Sequence, residues 1–579
     1  MMSKNVSEAL VATMKAHGIR HVFGVPAAQM GHVMKGASQD PDFVYMTTRH
    51  EEAAGHMAHA VAKTTGVMAA CFGTVGPGAM NLVPGVAAAW ADNVPMLVLT
   101  PNNQSYNVDP SKGLLQSVDH CGVYAPITKW SVPIRDAVSA PEIFDQAIRV
   151  AKSGRPGPVH LDLPCDIGGA ACAFDPSAIS QTAAPRPAPS PSEMARVVEM
   201  LAAAKRPVLV AGGGVARSGA TAAFRRLLEL TDVAATTSLN GSGAVPADYA
   251  GHVGSGGILG GDAVVKVFAE ADLVLAIGCK ISSWMPLNKP PLYGSPKGQK
   301  LIQVDLSERA MGRNMKADIA IVADAREFLD RLCEALADIA LAADAEWTRE
   351  IVAAHTAYRG VVDGVADAVF TDGTETLNEA AVARSIAALL PDDAIVAVDG
   401  GQTMEWAHTF FHPKTPEHLV FNPGMGHLGM GLPAAIGAKC AHPDRPVFCL
   451  TGDGAFGCTV QELETAARYG LKIIVFVFND SHWGMYRPLA EGVLSNNPSV
   501  FGTKLGDVDF AMVARGFGCE GESVTTLEEI PAVYERACAS ERPFVVDVRV
   551  DFTVHPIDEF WVGHVLEGAN IVPPSMASQ

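Results

Sequence analysis

A chain of 579 residues is too long for one hydrophobic core and fits three or four domains. Its 48% hydrophobic and 18% charged residues, with 55 glycines and 38 prolines spread through apolar segments, describe a loop-rich α/β protein and exclude a disordered one. A net charge of −19 disfavours nucleic acid and anionic membrane as partners, and eleven cysteines without a C-x-x-C pair argue against structural zinc and for a reducing, cytoplasmic compartment.

The N-terminal stretch, 1–19, reads as an amphipathic helix with Ser7 near its start, and it lacks the basic and apolar regions of a signal peptide. Apolar runs at 21–25, 44–47, 68–74, 96–100 and 158–163 read as strands, with helices over 51–64 and 81–91 between them. Residues 64–91 carry no charge over 28 positions, enough to raise the question of a membrane span. Gly76-Pro77-Gly78, Pro84 and an unpaired Asn81 exclude one. Strands alternating with helices predict a parallel sheet covered on both faces.

Residues 1–172 form the first domain on this reading, and an Ala-, Pro- and Ser-rich linker occupies 173–195. A second α/β block, 196–345, has a strand and Gly-rich turn over 207–214 and further strands at 272–278 and 301–306. Its Gly212-Gly213-Gly214 turn suits a phosphate or a tight turn equally, since no GxGxxG frame is present. A helical segment, 346–369, leads to the third domain, 370–552, and 553–579 is a tail or lid in which Phe560, Trp561 and His564 favour docking.

The third domain carries the densest motifs. A strand at 394–398 ends in Asp399-Gly400-Gly401-Gln402-Thr403, and a Gly-rich loop, 421–433, opens a helix at 434–441. Next comes a strand at 446–450 ending in Gly452-Asp453-Gly454, an amphipathic stretch at 460–469, and a strand at 473–478 ending in Asn479-Asp480. This unit places Asp453 and Asp480 in two loops at one sheet edge. Two hard oxygen ligands there suit Mg²⁺ shared with a phosphate, and the flanking glycines admit a diphosphate. A strand at 544–550 is expected to close the sheet.

These motifs resemble the metal and diphosphate signature of thiamine diphosphate (ThDP) enzymes, which usually ends Asn-Asn where this chain has Asn479-Asp480. Arg49-His50-Glu51 with Ala54-Gly55-His56, Gly76-Pro77-Gly78-x-x-Asn81, Asp92-Asn93-Val94-Pro95, Gln116-x-x-Asp119 and Pro126-Ile127-Thr128-Lys129-Trp130 are similar to the acetohydroxyacid synthase and benzaldehyde lyase branch. The resemblance implies three doubly wound parallel-sheet domains: pyrimidine-binding, central, and diphosphate-binding.

It further implies Glu51 as the carboxylate that exchanges a proton with the pyrimidine ring, so that the C2 carbanion of ThDP attacks a carbonyl. Asp453, Asp480 and the His482 carbonyl would hold Mg²⁺. Gly400, Gln402, Thr403, Gly454 and Ala455 would serve the diphosphate. The Gly426 carbonyl would accept from the aminopyrimidine, and Leu428 would wedge the cofactor into its bent form. Gln116 and Gln29 would be catalytic pocket residues, with His120, Trp483, Met485 and Tyr486 lining the substrate side. FAD or ADP occupies the central domain in some members. Active sites between subunits imply a homodimer or homotetramer acting on a small molecule, without nucleic acid or membrane.

Departures narrow the branch. The arginine that acetohydroxyacid synthases carry in the central domain is absent from Gly278-Cys279-Lys280-Ile281-Ser282-Ser283-Trp284, and Gly484-Met485 is followed by Tyr486-Arg487-Pro488-Leu489 without their tryptophan. The expected function is therefore a carbon–carbon lyase or carboligase acting on 2-hydroxy ketones, aldehydes or 2-oxo acids. Alternatives are a 2-oxo acid decarboxylase or acetolactate synthase-like enzyme, a 2-hydroxyacyl-CoA lyase or oxalyl-CoA decarboxylase-like enzyme, and an inactive homologue serving as a regulatory subunit.

Overall fold

The computed structural model describes residues 2–108, 111–179, 183–255, 257–282, 284–285, 298–368, 376–487, 502–553 and 555–556. The aromatic part of the expected tail, with Phe560, Trp561 and His564, lies outside the described residues.

Three parallel sheets carry the chain. The first holds β1 (His21–Gly24), β2 (Val44–Thr47), β3 (Ala69–Phe72), β4 (Met96–Asn102), β5 (Ser131–Pro133) and β6 (Val159–Pro164) in the order β2-β1-β3-β4-β6-β5. The central sheet holds β7 (Pro207–Ala211), β8 (Ala234–Thr237), β9 (Leu273–Ile277), β10 (Lys300–Asp305) and β11 (Ile319–Val322) in the order β8-β7-β9-β10-β11. The third holds β12 (Ile395–Val398), β13 (Leu419–Val420), β14 (Val447–Gly452), β15 (Ile474–Asn479), β16 (Glu520–Val524) and β17 (Phe544–Asp551). Its order, β13-β12-β14-β15-β17-β16, repeats that of the first sheet. Strands such as β4 and β14 are near-continuous apolar runs because helices cover both of their faces.

In each sheet the strand order reverses beside the first strand, so a crevice opens at the carboxyl ends there. In the central sheet that point brings Gly212 and Gly214 against Gly278. The Gly214 N–H donates to the Gly278 carbonyl at 3.0 Å, and a Cβ on Gly212 would collide with that oxygen. Close backbone contact thus demands these glycines.

Four helices frame the crevices of the first and third domains: α1 (Glu51–Thr65), α2 (Gln402–Phe410), α3 (Gly431–Ala441) and α4 (Asp453–Thr459). Helices α1 and α3 cross so closely that a Cβ on Gly437 would lie 2.5 Å from the Met57 carbonyl oxygen. Around them one apolar core runs from Phe23, Met57 and Val98 in the first domain to Leu432, Ile436 and Val475 in the third. Full burial of each such side chain is worth roughly 1.5–3 kcal/mol.

Several sequence expectations need correction. Met2–Asn5 is a strand paired antiparallel with Ala171–Phe174, and the helix spans Val6–Ala16, with Asn5 as its cap and Ser7 in its first turn. The side chain of Asn5 accepts from Glu8 N–H and that of Glu8 accepts in return, a reciprocal cap that fixes the start. Strand β17 is interior rather than closing: it pairs with β15 on one side and with β16 and Leu377–Asn378 on the other. Asp453 opens the short helix α4 instead of sitting in a loop.

Candidate active site

The third-domain crevice is built on three strand ends. After β12, Asp399 is buried; its Oδ1 accepts from Gly400 N–H and its Oδ2 from Gly431 N–H, both at 2.7 Å. It thereby ties the strand end to the first residue of α3. Burial pushes its carboxyl up to about 7. Gly400 then turns through a positive φ of 94°, a conformation natural to glycine, before α2 starts at Gln402.

After β14, the Asp453 carboxylate accepts from the Gly454 N–H at 2.7 Å. After β15, Asn479 donates to Asp547 Oδ1 and to the Val508 carbonyl, both at 2.9 Å, which fixes the strand end below the site. The next residue, Asp480, accepts from the His482 N–H at 2.9 Å. Burial raises both carboxyls above the usual range, and for Asp453 the neighbouring Asp480 charge adds to it. These two crowded carboxylates, Asp453 buried and Asp480 half-buried, are an all-oxygen donor set that a small hard divalent cation would relieve.

A cavity of about 220 Å³ gathers Gly400, Gln402 and Thr403, then Gly426 and Leu428, then Asp453, Gly454 and Ala455, and finally Asp480 and His482. All ten third-domain residues assigned to cofactor or metal in the sequence meet here. Trp483, Met485 and Tyr486 line the same cavity. Two glycines make room for them: a Cβ on Gly454 would lie 2.7 Å from the Trp483 ring, and one on Gly401 would lie 2.6 Å from Met485 Sδ.

The side chains of Gln402 and Thr403 serve the scaffold. Gln402 Nε2 donates to the Thr553 carbonyl at 2.6 Å, and Thr403 Oγ1 donates to Glu379 Oε1 at 3.2 Å. Towards the cavity, the start of α2 offers backbone N–H groups.

The first-domain crevice is different. Glu51, the first residue of α1, is 6% exposed, and Asn81 Nδ2 donates to its Oε2 at 3.0 Å. A Cβ on Gly78 would lie 2.8 Å from Glu51 Oε1, so the glycine loop after β3 is shaped around this carboxylate. Thr74 in that loop donates to Gln29 Oε1 at 3.4 Å, and a Cβ on Gly76 would press on the backbone of Gln116. Glu51, Gln29 and Gln116 therefore all border the loop 73–78. Gln116 itself is exposed and holds a positive φ of 65°.

His120 departs from its expected place on the substrate side. It is buried; the Gly76 N–H donates to its Nε2 at 3.1 Å, and its Nδ1 pairs with Asp162 Oδ1 at 2.8 Å. Both nitrogens are spent on holding the glycine loop. Asn81, to which the sequence motifs give no role, is the hydrogen-bond donor to Glu51. The available signal was a lone amide ending the short helix Pro77–Asn81, directly after the glycine loop. Glu51 is absent from the lining of the Asp453 cavity.

A larger cavity, about 630 Å³, opens at the central crevice. Gly213, Gly214, Arg155, Arg217, Lys280 and Asp305 line it, and Arg155 pairs with Asp305 at 3.1 Å. Trp284 lines both cavities, and its Nε1 donates to the Pro423 carbonyl at 2.9 Å.

Comparison with known proteins gives matches to three family models. They are described as the thiamine pyrophosphate enzyme N-terminal TPP binding domain over residues 4–123, central domain over 194–332, and C-terminal TPP binding domain over 399–548. A probable acetolactate synthase large subunit of Methanocaldococcus jannaschii is 32% identical over 556 residues, covering 94% of this chain and 92% of that protein. The acetolactate synthase large subunit of Parasynechococcus marenigrum is 32% identical over 94% of this chain and 87% of its own length. The isozyme 2 large subunit of Escherichia coli is 29% identical, over 94% and 96%.

Proposed function

We propose, for a chain that belongs to the thiamine pyrophosphate enzyme family, a lyase or carboligase acting on 2-hydroxy ketones, aldehydes or 2-oxo acids. The family makes it a ThDP-dependent enzyme that forms or cleaves carbon–carbon bonds. The observation that carries the finer reading is the wall of the Asp453 cavity. Trp284 stands there, in the stretch where acetohydroxyacid synthases place an arginine, and no Arg or Lys lines the cavity among the described residues. An indole favours a neutral or aromatic acceptor over the carboxylate of a second 2-oxo acid.

Bound ThDP supplies the electron sink for the carbon being attacked or released. The chain's own residues supply the rest. Asp453, Asp480 and the His482 carbonyl would hold Mg²⁺, for which the crowded carboxylates fit, and the amides at the starts of α2 and α4 would serve the diphosphate. Leu428 and Gly426 set the pose of the pyrimidine. Glu51 holds and returns the proton at that ring, oriented by Asn81. Because Glu51 stands outside the Asp453 cavity of its own chain, it would face that of a second copy, in a homodimer or homotetramer. The central cavity, with its cations and its glycine crevice, supports FAD or ADP as an added ligand. All eleven cysteines are free thiols, which supports a cytoplasmic location.

A second reading, acetolactate synthase-like condensation of two 2-oxo acids, has the names of the relatives in its favour. One experiment separates the two. The full chain with ThDP and Mg²⁺ is given single 2-oxo acids, with and without aldehydes, and CO₂ and products are followed. Cross-acyloins formed with aldehydes, or cleavage of 2-hydroxy ketones, support the first reading. Rapid acetolactate from pyruvate alone replaces it with the second. Neither activity in protein that binds ThDP overturns both.

A further inference from the structure

At the start of α1, Glu52 and His56 stand one helical turn apart, and His427 reaches the same point from the Gly-rich loop of the third domain. His427 Nδ1 lies 3.6 Å from Glu52 Oε1, and His56 Nε2 lies 3.7 Å from the same oxygen. The two imidazole rings are 5.2 Å apart between centres and tilted by 46°. Of the three, His427 also lines the Asp453 cavity, while Glu52 and His56 stand outside it.

Their hydrogen bonding is the second observation. His56 is fully buried, and neither of its ring nitrogens has a hydrogen-bond partner; the buried His427 Nδ1 also has none. Buried polar atoms left this way are costly, and native interiors rarely tolerate several at one point. A cation between the three side chains would take up His56 Nε2 and His427 Nδ1 together.

We propose that Glu52, His56 and His427 form a binding site for a divalent first-row transition ion, Zn²⁺ foremost. The two donor separations lie within a few tenths of an ångström of the roughly 3.3 Å that tetrahedral ligation at about 2.0–2.1 Å requires. Two imidazoles and one carboxylate select Zn²⁺ and its neighbours over Mg²⁺, which prefers the all-oxygen pair Asp453 and Asp480. The His427 side chain is 24% exposed, which leaves a fourth position for water. The ion would clip α1 of the first domain to the loop that carries Gly426 and Leu428. This inference stands apart from the substrate reading and does not need it.

The test uses the full chain, stripped by chelator and dialysed against Zn²⁺ alone or Co²⁺ alone without ThDP. Three variants are compared with the parent: Glu52→Gln, His427→Thr, and Asp453→Asn as the control for the oxygen site. The expected result is one ion per chain, with the intense visible spectrum of four-coordinate Co²⁺, in both the parent and Asp453→Asn. Glu52→Gln and His427→Thr should weaken binding by more than the about 10–100-fold typical of losing an outer partner. His427 is on a partly exposed loop, so His427→Thr keeps the fold, which circular dichroism checks. Equal Zn²⁺ content and an unchanged Co²⁺ spectrum in His427→Thr would overturn the proposal. So would binding that disappears only in Asp453→Asn.

Discussion

The first and third domains share one strand order, yet their crevices hold opposite chemistry. At the third-domain edge two aspartates crowd together behind backbone amides of helix starts. At the first-domain edge a single carboxylate, Glu51, sits in a glycine loop with one amide donor. The topology supplies the same opening twice, and residue choice decides what each can do: on the function proposed above, one would take a phosphate–metal group and the other would trade a proton with a ring. The shared core fixes their relation within the chain, while Glu51 stays outside the cavity that holds Asp453.

The sharpest way to break this comparison is to disable one crevice at a time. Glu51→Gln should lower turnover by about 10²–10⁴-fold with ThDP still bound, and Asp453→Asn should abolish Mg²⁺-dependent ThDP binding, both read by kinetics and calorimetry. Refolded together from denaturant, the two inactive chains should recover about a quarter of wild-type activity if sites form between copies, as one intact site then arises in each mixed dimer. No recovery would place both crevices' chemistry within one chain.

Gly437→Ala attacks what joins the domains. Its Cβ would press on the Met57 backbone, and we expect about 1–3 kcal/mol of lost stability, seen as a lower urea midpoint.

The smallest effect tests the electrostatics of the third-domain edge. Asp399 takes up its proton at about 7 in the folded chain against 3.8 unperturbed. Its contribution to stability is therefore complete below 3.8 and declines between 3.8 and about 7 as pH rises. Asp399→Asn should flatten the decline of melting temperature across that window, whose slope is at most about 1.4 kcal/mol per pH unit for one group.

The strand ends and their glycine–acid motifs were legible in the sequence because each is local: an apolar run, then glycines, then a charged residue. Helix α4 was not, since Gly454, Gly457 and Cys458 lower helix propensity and the turn is set by the close approach of Trp483. Strand β16, Glu-Gly-Glu-Ser-Val, is polar because it lies at a sheet edge, and β13 is only two residues long. The N-terminal strand was hidden because its partner is about 170 residues away. The tasks of His120 and Asn81 depend on where distant loops meet, which no spacing along the chain encodes.

The core shared by α1 and α3 also bears on how the chain is made. About 370 residues separate the end of α1 from the start of α3. At roughly 5–20 residues per second of translation, the apolar face of α1 waits roughly 20–70 s for its partner to leave the ribosome. During that interval the nascent first domain carries an open hydrophobic surface around Met57, Ala58 and Val61. Its safe passage is then a matter of chaperone occupancy and synthesis rate, and a stalled or truncated message would yield an aggregating fragment rather than a working half.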